Sequence, residues 1–352
     1  CPAAAPVPAR VTTAAGLSAL FTRYAATTRD GWTGGDSTFS VRLPDGRTLW
    51  LFSDTFLGPL NRNGTRPTGA EMVNNTFVVQ DGDQLTTVYG GTPAHPTAIM
   101  PPPGPDRWFW TGDGMLTGDG LVQVVFREYQ RTGTGALSYG YQRSVVATFS
   151  PDHLNTPSSV DPLPSDSGVA WGAALLPASR SGDGYTYLYG VVNTGTGKAM
   201  RVARIYGSDL RHGTWQYRAA CGWSTDERAA TDVMTGVADE YSITPWQGRY
   251  LLVTVNGTGW GSSIEMLSAP TPAGPFTGRT VLYRMPEPGP GGSYRDRYVI
   301  AYNAHGQLTT NDTILISYNV NSLDGSVSPA GDVYRDASIY RPRFIQVHLR
   351  SH

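Results

Sequence analysis

The segment Trp32-Thr33-Gly34-Gly35-Asp36-Ser37-Thr38-Phe39-Ser40-Val41-Arg42-Leu43-Pro44-Asp45-Gly46-Arg47-Thr48-Leu49-Trp50-Leu51-Phe52-Ser53-Asp54-Thr55-Phe56 reads as one β-hairpin. Residues 36–43 alternate polar and apolar, as a half-buried strand does. Pro44-Asp45-Gly46-Arg47 is a tight turn, and Gly46 can take a positive φ there. Residues 48–54 form a second strand of bulky apolar side chains. With the turn at 44–47, Asp36 and Asp54 fall at the same end of the hairpin, far from the turn. Two carboxyl groups converging on a β-scaffold form a candidate acid/base pair.

Working outward, residues 72–79 and 84–89 make another hairpin around Asp81-Gly82-Asp83. The four strands together have the size of one propeller blade. The same arrangement recurs at 107–149, 168–205, 237–268 and 298–349, each time as an inner strand, a Gly/Asp turn, an apolar strand and one or two more. Five units of this kind predict an all-β, five-bladed β-propeller as a single domain over 16–352. A β-sandwich is the competing arrangement. Residues 1–15, rich in Ala and Pro, read as a tether or irregular arm, and 16–30 as either a short helical turn or a strand.

The chain has 352 residues, 39% of them apolar, and a net charge of −1. That balance argues against nucleic acid as a partner. No apolar run approaches a membrane span. The chain begins on Cys1 and has one other cysteine, Cys221. Cys1 is expected either to carry a lipid anchor or to pair with Cys221 in a disulfide. Both readings place the protein outside the cytoplasm, secreted or held at the cell surface. A monomer is expected.

In a propeller, inner-strand ends and connecting loops form the pocket at the channel mouth. Asp36 and Asp54 are therefore the candidate catalytic residues. Gly34-Gly35 before Asp36 leave the backbone free to bend and room for a ligand. Asp54 follows so much apolar sequence that a raised pKa is expected. The alternative for both is that they satisfy turn N–H groups. The candidate substrate-binding residues are Asp113, Trp171, Glu240, Tyr241, Asn303 and His305. Glu240 is a candidate third carboxylate, with an Arg partner in its sheet as the structural alternative. Asp239 and Glu240 should face opposite ways along their strand. Trp32, Trp110, Trp171 and Trp260 are candidates for stacking on sugar faces. Metal-protease, Walker, Cys-x-x-Cys and nucleophile-elbow motifs are absent. No cofactor or catalytic metal is expected, and a structural Ca²⁺ stays open because Asp-Gly pairs occur without calcium-loop spacing.

The run 32–40 followed by 43–56 resembles the opening signature of secreted actinobacterial proteins catalogued as domains of unknown function, some of them endo-D-arabinanases. The later runs Trp171-Gly172-Ala173-Ala174, Asp239-Glu240-Tyr241-Ser242 and Tyr302-Asn303-Ala304-His305 are similar to that group in layout. Ser53 stands where a smaller residue such as Gly is expected. The resemblance implies a five-bladed propeller glycoside hydrolase with Asp36 and Asp54 as the catalytic pair. The implied substrate is a furanoside polysaccharide, first of all the D-arabinan of mycobacterial-type arabinogalactan and lipoarabinomannan. The other readings are a non-catalytic carbohydrate-binding propeller and a propeller glycosidase of the α-L-arabinanase or fructan hydrolase type.

Overall fold

The computed structural model describes residues 6–350 other than 136, 258 and 311. Among the described residues, Gly90–Thr92 and His95–Thr97 form a small two-stranded ribbon, and five antiparallel sheets of four to six strands follow one another along the chain. Their innermost strands are Trp32–Arg42, Arg107–Leu116, Ala170–Leu176, Ser242–Trp246 and Val299–Thr310. Each inner strand contacts that of the next sheet, and the fifth returns to the first. The sheets are therefore the five blades of a β-propeller.

The buried apolar side chains fall into clusters between blades rather than into one central core. Phe39, Leu49 and Phe77 of blade 1 pack on Phe109, Val124 and Phe126 of blade 2. Val125 and Val146 of blade 2 pack on Trp171 and Leu188 of blade 3. Further clusters join blades 3 and 4 and blades 4 and 5. A middle strand such as Val122–Arg131 is consequently buried on both faces over most of its length. Its Val122, Val124, Val125 and Phe126 are all buried, and so are its polar Gln123, Arg127 and Glu128, because both of its faces meet protein.

Residues 7–13 differ from the expected arm. Val7–Thr13 is a strand, paired antiparallel with Pro342–Arg350 from Val7 against Arg350 to Thr13 against Ile345. It is the outermost strand of blade 5, whose three long strands come from the opposite end of the chain. Its partly buried Val11 packs on the blade 4–5 core, which is the apolar contact an irregular arm would lack. The stretch 16–30, read as a short helical turn or a strand, holds most of the 13-residue helix Ala15–Thr27. It lays Leu20, Phe21 and Ala25 over the seam of blades 1 and 5. The Phe21 ring lies 5.2 Å from that of Trp32 and 5.4 Å from that of Phe344. Removing residues 1–13 is expected to lower the thermal midpoint by roughly 5–10 °C, through lost strand hydrogen bonds and apolar cover. The exposed edge of Pro342–Arg350 is expected to promote self-association. Differential scanning fluorimetry and size-exclusion chromatography measure the two effects.

Among the described residues, no helix is long and apolar enough to cross a membrane. Cys221 is exposed with a free thiol, whereas Cys1 lies outside the described residues.

Candidate active site

The first hairpin carries the site, and its register shows how. Trp32–Arg42 and Thr48–Leu57 pair regularly near the turn, then slip three times, twice around Asp36 and once more between Trp32 and Gly34. Gly35 faces Thr55 and Ser37 faces Phe52, so Asp36 is opposed by two residues, Ser53 and Asp54. One step on, Ser37 faces Phe52 and Phe39 faces Leu51, leaving Thr38 as an extra residue on the first strand. Bulges of this kind re-aim side chains. Here they turn Asp36 and Asp54 toward each other, close enough for the charge of Asp54 to raise the pKa of Asp36.

Ser37 and Thr38 have φ of 67° and 62°, a left-handed conformation that costs energy for residues with a Cβ. Neighbouring blades hold them there. Ser317 Oγ donates to the Thr38 carbonyl at 2.9 Å and Asn319 Nδ2 to Thr38 Oγ1 at 2.8 Å. Ser37 Oγ donates to Glu240 Oε1 at 3.0 Å and lies 2.7 Å from Ser53 Oγ. Ser53, where Gly was the expectation, also accepts from Thr111 N at 3.0 Å, so its hydroxyl ties blade 1 to blade 2.

The glycines before Asp36 serve packing, not ligand access. A Cβ on Gly34 would meet the Tyr340 carbonyl oxygen at 2.3 Å, and one on Gly35 would meet Trp32 Nε1 at 2.8 Å.

The two aspartates have different surroundings. Asp36 Oδ2 accepts from the Tyr302 hydroxyl at 2.9 Å. Burial, then the charges of Asp54 and Glu240, push the Asp36 carboxyl well above the ordinary range, against opposing hydrogen bonds from Tyr302 and Tyr340. Asp54 Oδ1 accepts from Trp110 Nε1 at 2.7 Å and Asn74 Nδ2 at 2.9 Å. Burial raises its pKa too, while those two N–H donors favour the charged form. The Tyr340 hydroxyl donates to the Asp54 carbonyl oxygen at 3.1 Å.

Glu240 is buried, and its charge reaches Asp36. Its Oε1 receives Arg127 Nη2 as well as Ser37 Oγ, and its Oε2 lies 3.3 Å from His305 Nε2. Burial alone would raise its pKa. Arg127, then His305 and Ser37, overcome that and hold it below the ordinary value. The Arg partner exists as the structural alternative required, but it reaches across from blade 2 instead of along the sheet of Glu240. Asp239 and Glu240 precede the strand Ser242–Trp246 rather than lying on it, and Asp239 pairs with Lys198.

The remaining candidates divide. His305 joins the site, its ring stacked on Phe39 with centroids 3.8 Å apart. Asn303 is buried, with φ of 49° at the register slip between Tyr302 and His305. The slip brings both neighbours to the site. Asp113 is on the inner strand of blade 2, where its carboxylate accepts from Gly114 N and Leu175 N, each at 2.8 Å. Burial pushes it up to about 6. Its oxygens thus stitch blade 2 to blade 3.

Trp171 and Tyr241 do not reach the pocket, a correction to their expected role. Both are fully buried. The Trp171 N–H donates to Glu227 Oε1 at 2.9 Å and the Tyr241 hydroxyl to the Gly190 carbonyl at 3.1 Å. Neither offers a face to a sugar. Trp110 instead heads an aromatic wall beside Asp54, its ring 4.7 Å from Tyr129 and 4.9 Å from Tyr139. Sequence reading missed Arg127, Asn74 and Tyr340, which stand far from the acids in sequence with no motif marking them. Among the described residues there is no group of three or more His, Cys, Asp or Glu side chains arranged to hold a metal.

Comparison with known proteins gives a family and a fold. The family described as Domain of unknown function (DUF5005) matches residues 18–349. No curated protein matches the sequence. A crystal structure of a candidate hydrolase from Bacteroides ovatus superposes with a TM-score of 0.78 at 21% identity, covering 98% of this chain and 93% of that one. At that identity the likeness shows a shared fold. A GH43_1 enzyme from Xanthomonas citri, complexed with xylose, is more distant, with a TM-score of 0.49 at 17% identity over 94% of this chain and 92% of its own.

Proposed function

Because the chain belongs to the DUF5005 family, whose description names no reaction, we propose from the site itself that it is a glycoside hydrolase. Its substrate in this reading is a furanoside polysaccharide, with D-arabinan the first candidate from the resemblance of residues 32–56. It acts outside the cytoplasm, secreted or tethered to the cell surface. One observation carries the reading: Asp36 and Asp54 are half-buried, close enough for the charge of one to act on the other, and sit in unlike environments. Cleaving a glycosidic bond needs one carboxyl that holds a proton and one that is charged.

The unlike environments support a division of roles. Asp36, pushed furthest up, keeps its proton and is the general acid. Asp54, held by the N–H groups of Trp110 and Asn74, supplies the carboxylate. The Asp36 proton goes to the glycosidic oxygen as its bond to the anomeric carbon breaks. Asp54 either bonds to that carbon and is later displaced by water, or takes a proton from the water that attacks it. Glu240 stays ionised against Arg127, and its charge helps Asp36 retain its proton.

Incubation with arabinogalactan, lipoarabinomannan and a panel of other furanosides, with products resolved by chromatography, tests the proposal. Release of D-arabino-oligosaccharides is the expected result. Absence of cleavage of every glycan in the panel would overturn it.

The pH profile gives a finer check. The pair titrates in two coupled steps, so kcat/KM is expected to be bell-shaped. Its alkaline limb reports loss of the Asp36 proton. Tyr302 donates to Asp36 and so favours the charged form. Tyr302→Phe is therefore expected to raise the Asp36 pKa further and move the alkaline limb to higher pH. A shift to lower pH would contradict the assignment of Asp36 as the acid.

A further inference from the structure

Trp260 is a large aromatic side chain left 47% exposed, and it lies across a strand pair from Tyr302, which bonds Asp36. The two-residue strand Trp260–Gly261 pairs with the inner strand of blade 5, with Trp260 directly opposite Tyr302. Directly opposed residues of an antiparallel pair project from the same face, with Cβ atoms about 5 Å apart. Tyr302 is the residue whose hydroxyl meets Asp36. The Trp260 ring therefore stands on the Asp36 side of the pocket.

The loop that presents it is cinched. Asn256 Oδ1 accepts from Ser262 N at 2.9 Å and Ser263 N at 2.7 Å, and Asn256 N donates to the Ser263 carbonyl at 2.9 Å. A Cβ on Gly261 would fall 1.9 Å from the Asn256 carbonyl oxygen, so glycine permits this closure. Beside the loop lie Lys198 and its partner Asp239, with Lys198 Nζ 3.9 Å from where a Gly259 Cβ would be. A flat apolar ring beside a charged donor and acceptor matches a sugar, which has an apolar C–H face and a hydroxyl rim. Asp54, by contrast, is backed by Trp110 and Tyr139 of blade 2. Blades 2 and 5 contact blade 1 from its two sides.

We propose that Trp260 is the platform for the sugar on the leaving-group side of the scissile bond, with Lys198 and Asp239 engaging its hydroxyls. The inference rests on the reading of Asp36 as proton donor to the leaving oxygen. A sugar bound beside Asp36 is then the one that departs with that proton.

The test compares two substrates sharing one glycone: a D-arabino-oligosaccharide, and the 4-nitrophenyl glycoside of its glycone part alone, whose leaving group is not a sugar. Trp260→Ala is expected to lose about tenfold or more in kcat/KM on the oligosaccharide beyond any loss on the nitrophenyl glycoside. Trp260→Phe is expected to recover most of it. Circular dichroism checks that both variants fold, which the exposure of the ring favours. Equal losses on both substrates, or no loss on the oligosaccharide, would overturn the platform and leave the hydrolase reading standing. A wild-type protein that cleaves neither substrate defeats the hydrolase reading itself, and the platform with it.

Discussion

Replacing Asp36 by Asn is expected to lower glycan cleavage by about a hundredfold to ten-thousandfold, the usual contribution of a positioned general acid. Tyr302 can still approach the amide, so the pocket is expected to persist and the loss to fall on kcat more than on KM. The same variant carries an opposite expectation for stability. The native pKa of Asp36 is raised, so its contribution to stability is full below the unfolded carboxylate range and is lost as pH rises through the native value. At neutral pH the wild-type protein carries that penalty and the Asn variant does not. Thermal unfolding at pH 7 should therefore show Asp36→Asn at least as stable as wild type. A variant that is inactive but destabilised would point to a structural role for Asp36. A fully active variant would remove Asp36 from the chemistry.

The second large effect concerns Arg127. Its guanidinium and the Glu240 carboxylate are both almost wholly buried and contact each other. Arg127 Nη2 also donates to the Thr111 carbonyl at 3.0 Å and Nη1 to the Asp239 carbonyl at 3.3 Å. Arg127→Met would leave Glu240 charged and buried without its strongest partner. The expected cost is about 3–5 kcal/mol, read as a lower midpoint in urea unfolding. Glu240→Gln added to Arg127→Met should return a good part of that loss, because the stranded charge disappears. Failure of the double variant to recover would mean that the backbone contacts of Arg127, not the ion pair, hold blades 2 and 4 together.

Much of this arrangement was legible along the chain, and what was not has identifiable causes. The hairpin and its two acids could be read because turn chemistry and strand composition are local. The five units could be counted for the same reason. The double bulge that converges Asp36 and Asp54 left no local mark. It depends on Ser317, Asn319 and Glu240 from other blades holding Ser37 and Thr38 in a costly conformation. Trp171 was misread because a tryptophan in a β-strand looks alike whether it serves a core or a sugar. Only its burial against Tyr217 and its bond to Glu227 distinguish the two. The strand at 7–13 was missed because its partner lies at the other end of the chain. Alternation also weakened as a guide, since blades stacked face to face bury both sides of their middle strands.

The pairing of Val7–Thr13 with Pro342–Arg350 also sets a schedule for folding. Blades 1 to 4 are each made from one continuous stretch and can begin to form as soon as that stretch is available. Blade 5 cannot be completed until both ends of the chain meet, in a contact that spans nearly its whole length. Contacts of such separation pay the full entropy of closing a long loop and form late. Ring closure is thus expected to be the last and slowest step. Until it happens, the helix Ala15–Thr27 lacks part of the seam that it covers. Tyr302, His305 and Tyr340 all come from that last blade, so the surroundings of Asp36 and Asp54 are also completed late.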